Sequence, residues 1–193
     1  MNKDIRREML LALPNIKEIL NYCAVDTLSR TICSEPYYWR QLFDQYNLPF
    51  PNHHYTDPKS WALAFEKERV IAHNVRYFIN LLYTRPIILD VYVNPSFFDI
   101  LKVDGIDLTD LLIIENSFIL RILKGTAHPS DCIAQINAIN DIYTVDIFYG
   151  PHLPNFYDYD ITKEAVEQIL YNMLSRGIKP LTVSGFNMGF VKL

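Results

Sequence analysis

What this chain lacks limits its chemistry before any motif is read. No apolar stretch approaches the roughly 18 residues that span a bilayer. Asp4 and Glu8 also break up the start against a signal-peptide reading. Positive charge is thin: the net charge is −4 and no basic run exceeds Arg6-Arg7. A grip on nucleic-acid phosphates needs a concentrated basic face, so a nucleic-acid partner is not expected. The chain has no GxGxxG, GxxxxGK[ST] or GxSxG, which removes support for nucleotide cofactors and for a hydrolase elbow. It has no CxxC or HxxxH pair, and His53-His54 sit side by side between prolines, so neither a metal site nor a cofactor is expected. No repeat of 20–50 residues is present, which excludes leucine-rich, propeller and ankyrin arrays.

What is present points to a filled core. Half of the residues are apolar and 21% are charged, a balance that favours packing over disorder. The three cysteines, Cys23, Cys33 and Cys132, are an odd number without the spacing of a disulfide framework. They fit a soluble intracellular protein, with Cys23 expected as a packed thiol on an apolar helix face. His128 and Cys132 would face one way on a single helix, as a base and its nucleophile would. His128 precedes Pro129, however, which restricts its backbone and places it outside such a helix. Asp99, Asp104, Asp107, Asp110 and Asp146 lie near expected strand ends and turns, where carboxylates are ordinary. No catalytic residue is therefore assigned.

The organising stretch runs from Met9 to Tyr46. Asn15 is placed to cap a helix, with Glu18 at the capping-box position. Ile16, Ile19, Leu20 and Cys23 then share one helical face. Asp26 is placed to cap a second helix carrying Leu28 and Ile32. Ser34 and Pro36 mark the entry to a third, with Trp39, Leu42, Phe43 and Tyr46. Helices this short must pack on each other or on a partner.

The order Leu13-Pro14, Ile19-Leu20, Cys23, Val25, Ile32-Cys33 and Tyr38-Trp39-Arg40-Gln41-Leu42 resembles an F-box. More narrowly, it is similar to the shortened F-box-like motif of large DNA virus proteins, in which two cysteines bracket the middle helix ahead of a Trp. The resemblance covers about 40 residues at the N-terminal end, and the opening reads Leu13-Pro14-Asn15-Ile16 where Leu-Pro-x-Glu is usual. It implies that residues 9–46 dock on a Skp-family adaptor, and through it on a cullin scaffold, with Leu13, Pro14, Ile16, Ile19, Leu20 and Trp39 as apolar anchors.

Beyond this module, Asn47 to Asp57 reads as a loop, since Pro49 and Pro51 block helix continuation. Asp57 and Pro58 open a long helix to about Tyr83, with Trp61, Phe65, Ile71, Val75, Phe78 and Leu82 near one stripe. Strands are expected at Ile87 to Val93, Phe98 to Val103, Phe118 to Leu123 and Tyr143 to Tyr149. An apolar run, Leu111 to Ile114, precedes the third of these. Asp104-Gly105 supplies a turn. Helices are expected at Pro129 to Ile139 and at Thr162 to Arg176, the latter with Gly177 as a left-handed cap. Leu181 to Ser184 and Asn187 to Leu193 would close as a hairpin. The expected fold is α+β: a short-helix module (1–50), a loop and linking helix (51–84), and a mixed sheet packed with about two helices (85–193).

Two functions of different class follow. In the first the chain is not an enzyme. It is a substrate receptor of a cullin–RING ubiquitin ligase, acting in the cytoplasm or nucleus, and it raises the effective concentration of a protein target near the ubiquitin carrier. In the second, the α+β domain is a small enzyme or ligand binder and the N-terminal helices only pack. The segment Gly150 to Tyr159 is expected as a loop, and its Phe156, Tyr157 and Tyr159 either fold back in part as a lid over the sheet or, for the receptor, project to contact the target. Asp158 and Asp160 beside them would favour a basic partner segment.

Overall fold

The structure, a computed structural model, describes residues 2–13, 15–84, 86–90, 96–114, 132–149, 155–178 and 180–182. The chain divides into two compact units, Met1–His73 and Asn74–Leu193.

The first unit is helical. Helices α1 (Lys3–Leu11), α2 (Ile16–Cys23), α3 (Thr27–Ser34) and α4 (Pro36–Gln45) are followed by the start of α5 (Pro58–Leu82). The expected starts are observed, and the reason is hydrogen-bond supply at the first turn. Asn15 accepts from the Glu18 N–H at 3.0 Å, and its own amide donates to Glu18 Oε1 at 2.7 Å. Asp26 accepts from the Ser29 N–H at 2.8 Å. Asp57 accepts from the Ser60 N–H at 2.9 Å ahead of α5. Pro36 opens α4, where Glu35 is the N-cap residue but makes no side-chain cap bond. Asn47, at φ 51°, ends α4 in the left-handed region, with the Leu48 N–H reaching Phe43 O at 2.9 Å.

The core of this unit contains Leu10, Ile19, Ile32, Tyr38, Trp39, Leu42, Phe43, Trp61 and Phe65, all buried. Trp39 and Trp61 stack with ring centres 6.2 Å apart. Helix α1, which the sequence reading did not anticipate, explains Arg6-Arg7. Arg6 pairs with Asp26 and also donates to Ser29 Oγ, while Arg7 and Lys3 both reach Glu35. The single basic pair of the chain thus ties α1 to α3 and α4. Cys23 and Cys33 are joined by a disulfide across α2 and α3, with Cα atoms 5.9 Å apart. This corrects the expectation of an unpaired thiol. Cys23 ends α2 and Cys33 lies next to the end of α3, and the spacing of 10 residues is one short helical hairpin.

The second unit holds the C-terminal part of α5, then β1 (Ile87–Asp90), α6 (Ser96–Ile100), a helical segment α7 (residues 108–114), β2 (Cys132–Ile139), β3 (Ile142–Tyr149), β4 (Asn155–Ile161), α8 (Lys163–Ser175) and β5 (Leu181–Thr182). The strands form one sheet in the order β4-β3-β2-β1-β5. The α+β class holds, but every described pairing is antiparallel, where a mixed sheet was expected. Ile87, Ala134, Ile136, Val145 and Ile147 lie on the buried face, with Val166, Ile169, Leu170 and Met173 of α8 also buried. Gly177, at φ 76°, ends α8 as expected, and the Ile178 N–H reaches Met173 O at 3.0 Å.

Three expected elements change type. Phe98 to Val103 begins as helix α6, because Phe97, Phe98, Ile100 and Leu101 bury a helical rather than an alternating set. Pro129 to Ile139 is strand over its described part, 132–139, since the register pairs Ile136 with Val145 across β3. Asn140 and Asp141, at φ 51° and 63°, then make the two-residue turn of a β2–β3 hairpin. Gly150 to Tyr159 is strand from Asn155 onward. The expected strand Phe118 to Leu123, His128, Val91 to Val93 of the first strand and all of the final hairpin beyond Thr182 lie outside the described residues.

Candidate interaction surfaces

The six expected adaptor contacts separate into two groups. Trp39 is fully buried and its indole N–H donates to Cys33 O at 2.7 Å, while Ile19 is 2% exposed. Both belong to the interior of the module and cannot serve as direct anchors. The expectation assumed that short helices leave their apolar groups unburied. Helix α1 and the α5 residues Trp61 and Phe65 complete the core instead. Leu13, Ile16 and Leu20 are half-buried, packed against the core from outside. Ile16 and Leu20 are one turn apart on α2. Pro14 lies outside the described residues.

Leu20 also lines a shallow cleft of about 310 Å³ with Cys23, Ala24, Arg30, Asp57, Pro58 and Lys59. Val25, just past α2, is 70% exposed, though the sequence reading gave it no contact role. The Asp57 carboxyl is held below the usual carboxylate range, first by its bonds to Ser60 at the helix start.

The expected target contacts occupy a strand instead of a projecting loop. Tyr157 and Tyr159 stand opposite Ile147 and Val145, on the core-facing side of β4, and both are half-buried. Their rings stack with centres 6.4 Å apart, and the Tyr159 hydroxyl donates to Asp110 Oδ2 at 2.9 Å. Burial and the Asp110 carboxylate both raise the Tyr159 phenol above its ordinary value. The backbone of Phe156 pairs with Phe148 in the same ladder. A strand hidden behind two prolines and a glycine explains the misreading, because Tyr157, Tyr159 and Ile161 alternate with Asp158 and Asp160.

On the outer face, Asp146 of β3 stands directly opposite Asp158 of β4. Asn137 of β2 donates to Asp146 Oδ2 at 2.7 Å, and Gln135 donates to Asn137 Oδ1 at 2.7 Å. Burial first, and the Asp158 carboxylate second, push the Asp146 carboxyl up to about 6. Three of the other acidic candidates have structural partners: Asp99 pairs with Lys102, Asp107 accepts from the backbone of Thr109 and Asp110, and Asp110 accepts from Tyr159. The backbone of Cys132 pairs with Tyr149 in the β2–β3 ladder. Among the described residues no group of His, Cys, Asp and Glu is arranged to hold a metal ion, and no helix is long and apolar enough to cross a membrane.

Compared with protein-family models, with curated proteins and with solved structures, the chain matches none of them.

Proposed function

We propose that the chain is an F-box-like substrate receptor, whose N-terminal unit docks on a Skp-family adaptor of a cullin–RING ubiquitin ligase and whose C-terminal unit holds a protein target. The observation that carries this reading is the half-buried set Leu13, Ile16 and Leu20 packed on the core from outside, with Leu20 lining an apolar cleft and α2 closed against α3 by a disulfide. Such a surface has a rigid backing and side chains still partly open to a partner, which is the anatomy of an interface core. Trp39 and Ile19 act through the shape of the module and Leu13, Ile16 and Leu20 act by contact. The receptor performs no bond chemistry on its target and works by local concentration.

The disulfide bears on where this happens. Cytosolic thiols are kept reduced and disulfides there are rare. In a reducing compartment Cys23 and Cys33 persist as two thiols buried in the same core, at 3% and 0% exposure, and the docking surface keeps its helical backing. Affinity capture from cell lysate with the full chain as bait tests the proposal. Enrichment of a Skp-family adaptor together with a cullin is expected. A capture that lacks both, from a bait that melts cooperatively, overturns it.

A further inference from the structure

Among the described residues β4 is the last strand on its side of the sheet, so one row of its backbone N–H and C=O groups has no ladder partner there. Its C-terminal end is approached by the loop at Gly105. A Cβ on that glycine would stand 3.1 Å from Asp160 O and 3.1 Å from Ile161 Cγ2. Residues 155–159 are left as the stretch of edge that a further strand can reach.

The charge along this edge has one sign. Asp158 and Asp160 are exposed on the outer face, Asp146 stands opposite Asp158, and Asp160 stands opposite Thr144. The groups facing Asp146 from β2 are neutral, Asn137 and Gln135, and the only charged residue of β1 is Asp90, in register with Ile133. The sequences of the five strands contain no Lys, Arg or His at all. Edge strands are commonly guarded by lysine or proline, and β4 has neither. A second copy of the chain is a poor occupant. Its β4 would bring no basic side chain to Asp158 and Asp160 and would add two more carboxylates to the same face of the sheet.

We infer that β4 accepts, by strand addition along residues 155–159, an extended peptide segment with lysine or arginine at alternate positions. Backbone bonds of the new ladder supply the docking, and the basic side chains on the outer face lie over Asp158 and Asp160. This rests on the receptor reading only in taking the segment to be part of the target. The pairing of Asp146 with Asp158 adds a pH dependence, because a basic segment favours the doubly ionised pair and binds less well as the pair takes up a proton.

The test uses the full chain and three labelled nine-residue peptides, read by fluorescence anisotropy at low salt. One alternates lysine with valine, one alternates glutamate with valine, and one is the lysine peptide with alternate backbone nitrogens methylated. The lysine peptide is expected to bind at least tenfold tighter than either of the others. It should also slow hydrogen exchange at the amides of residues 155–159 and lose at least tenfold in affinity to the D158N/D160N variant. Equal binding of the methylated peptide overturns strand addition, since it keeps the charge and loses the ladder. Equal binding of the glutamate peptide, or unchanged exchange at 155–159, overturns it as well. Where the variant fails to fold, the methylated peptide on the unaltered chain still decides. Adaptor capture from the same preparation separates the two proposals: peptide binding without adaptor removes the receptor reading alone, and adaptor without peptide binding removes this one alone.

Discussion

The two units of this chain differ in where their structural information lies. In the N-terminal unit the helix starts are local. Asn15, Asp26 and Asp57 each satisfy a backbone N–H three residues on, and each marks an observed helix. In the C-terminal unit the decisive contacts are between strands far apart in sequence, such as Ile87 with Ile136. No short window contains such a pairing. The contrast is between structure written by capping chemistry and structure written by register.

The largest expected effect tests the local side. Trp39→Ala empties the centre of the helical core and leaves Cys33 O without its indole donor. It should cost about 3–5 kcal/mol, with loss of hydrogen-exchange protection over residues 2–73. Equal loss over residues 132–149 would show that the two units do not unfold separately. Next, Cys23→Ser with Cys33→Ser removes a cross-link over 10 residues of sequence, worth roughly 2–3 kcal/mol in the loop-entropy account. Chemical denaturation of the two proteins under oxidising conditions reads it, and under reducing conditions the difference should shrink by that amount, leaving only the cost of two buried hydroxyls in place of thiols.

A third prediction moves to the register side. The Asp146 carboxyl rises from 3.8 to about 6 in the folded chain. Between those values the folded state holds more protons than the unfolded state. Its contribution is therefore present below about 4 and lost as pH rises through about 6. Asp26, Asp57, Asp99 and Asp107 are shifted the other way, so their contribution is lost as pH falls. Comparing wild type with Asp146→Asn isolates the first effect: the variant's Tm should gain on the wild type as pH goes from 4 to 7. A constant difference across that range would mean that the Asp146 carboxyl is not raised in the folded chain.

The smallest effect has an unusual sign. The Tyr38 hydroxyl is buried without a hydrogen-bond partner among the described residues, and burial raises it above its ordinary value. Tyr38→Phe should leave stability unchanged or raise it by up to about 1 kcal/mol, because an orphaned polar group is removed without loss of ring volume. A clear loss in a thermal melt would mean the hydroxyl is satisfied.

The legibility of the fold follows the same division. The stripe on α5 was readable because Trp61, Phe65, Val75 and Leu82 recur at helical spacing, and α8 because its apolar face ends at a glycine. Strand β3 was readable from clean alternation. Strand β2 was not, since Ile133, Ile136 and Ile139 fit a helix as well, and only pairing with β3 decides between the two. Helix α1 was missed because its polar residues dominate, and its attachment rests on ion pairs from Lys3, Arg6 and Arg7 to residues about 20 to 32 positions away. At the candidate surfaces, apolar identity was legible but direction was not. Sequence grouped Trp39 with Leu20, and burial separates them.

The central claim is that the surface around Leu20 is a docking face for a Skp-family adaptor. Its most direct measurement is calorimetric titration of the purified full chain with purified adaptor, repeated with Ile16→Asp and Leu20→Asp, whose half-buried side chains can take a charge without entering the core. The account predicts one-to-one binding by the wild type and at least a tenfold loss in each variant with its helical content intact. No heat and no co-elution with the wild type, or equal binding by folded Leu20→Asp, would contradict it.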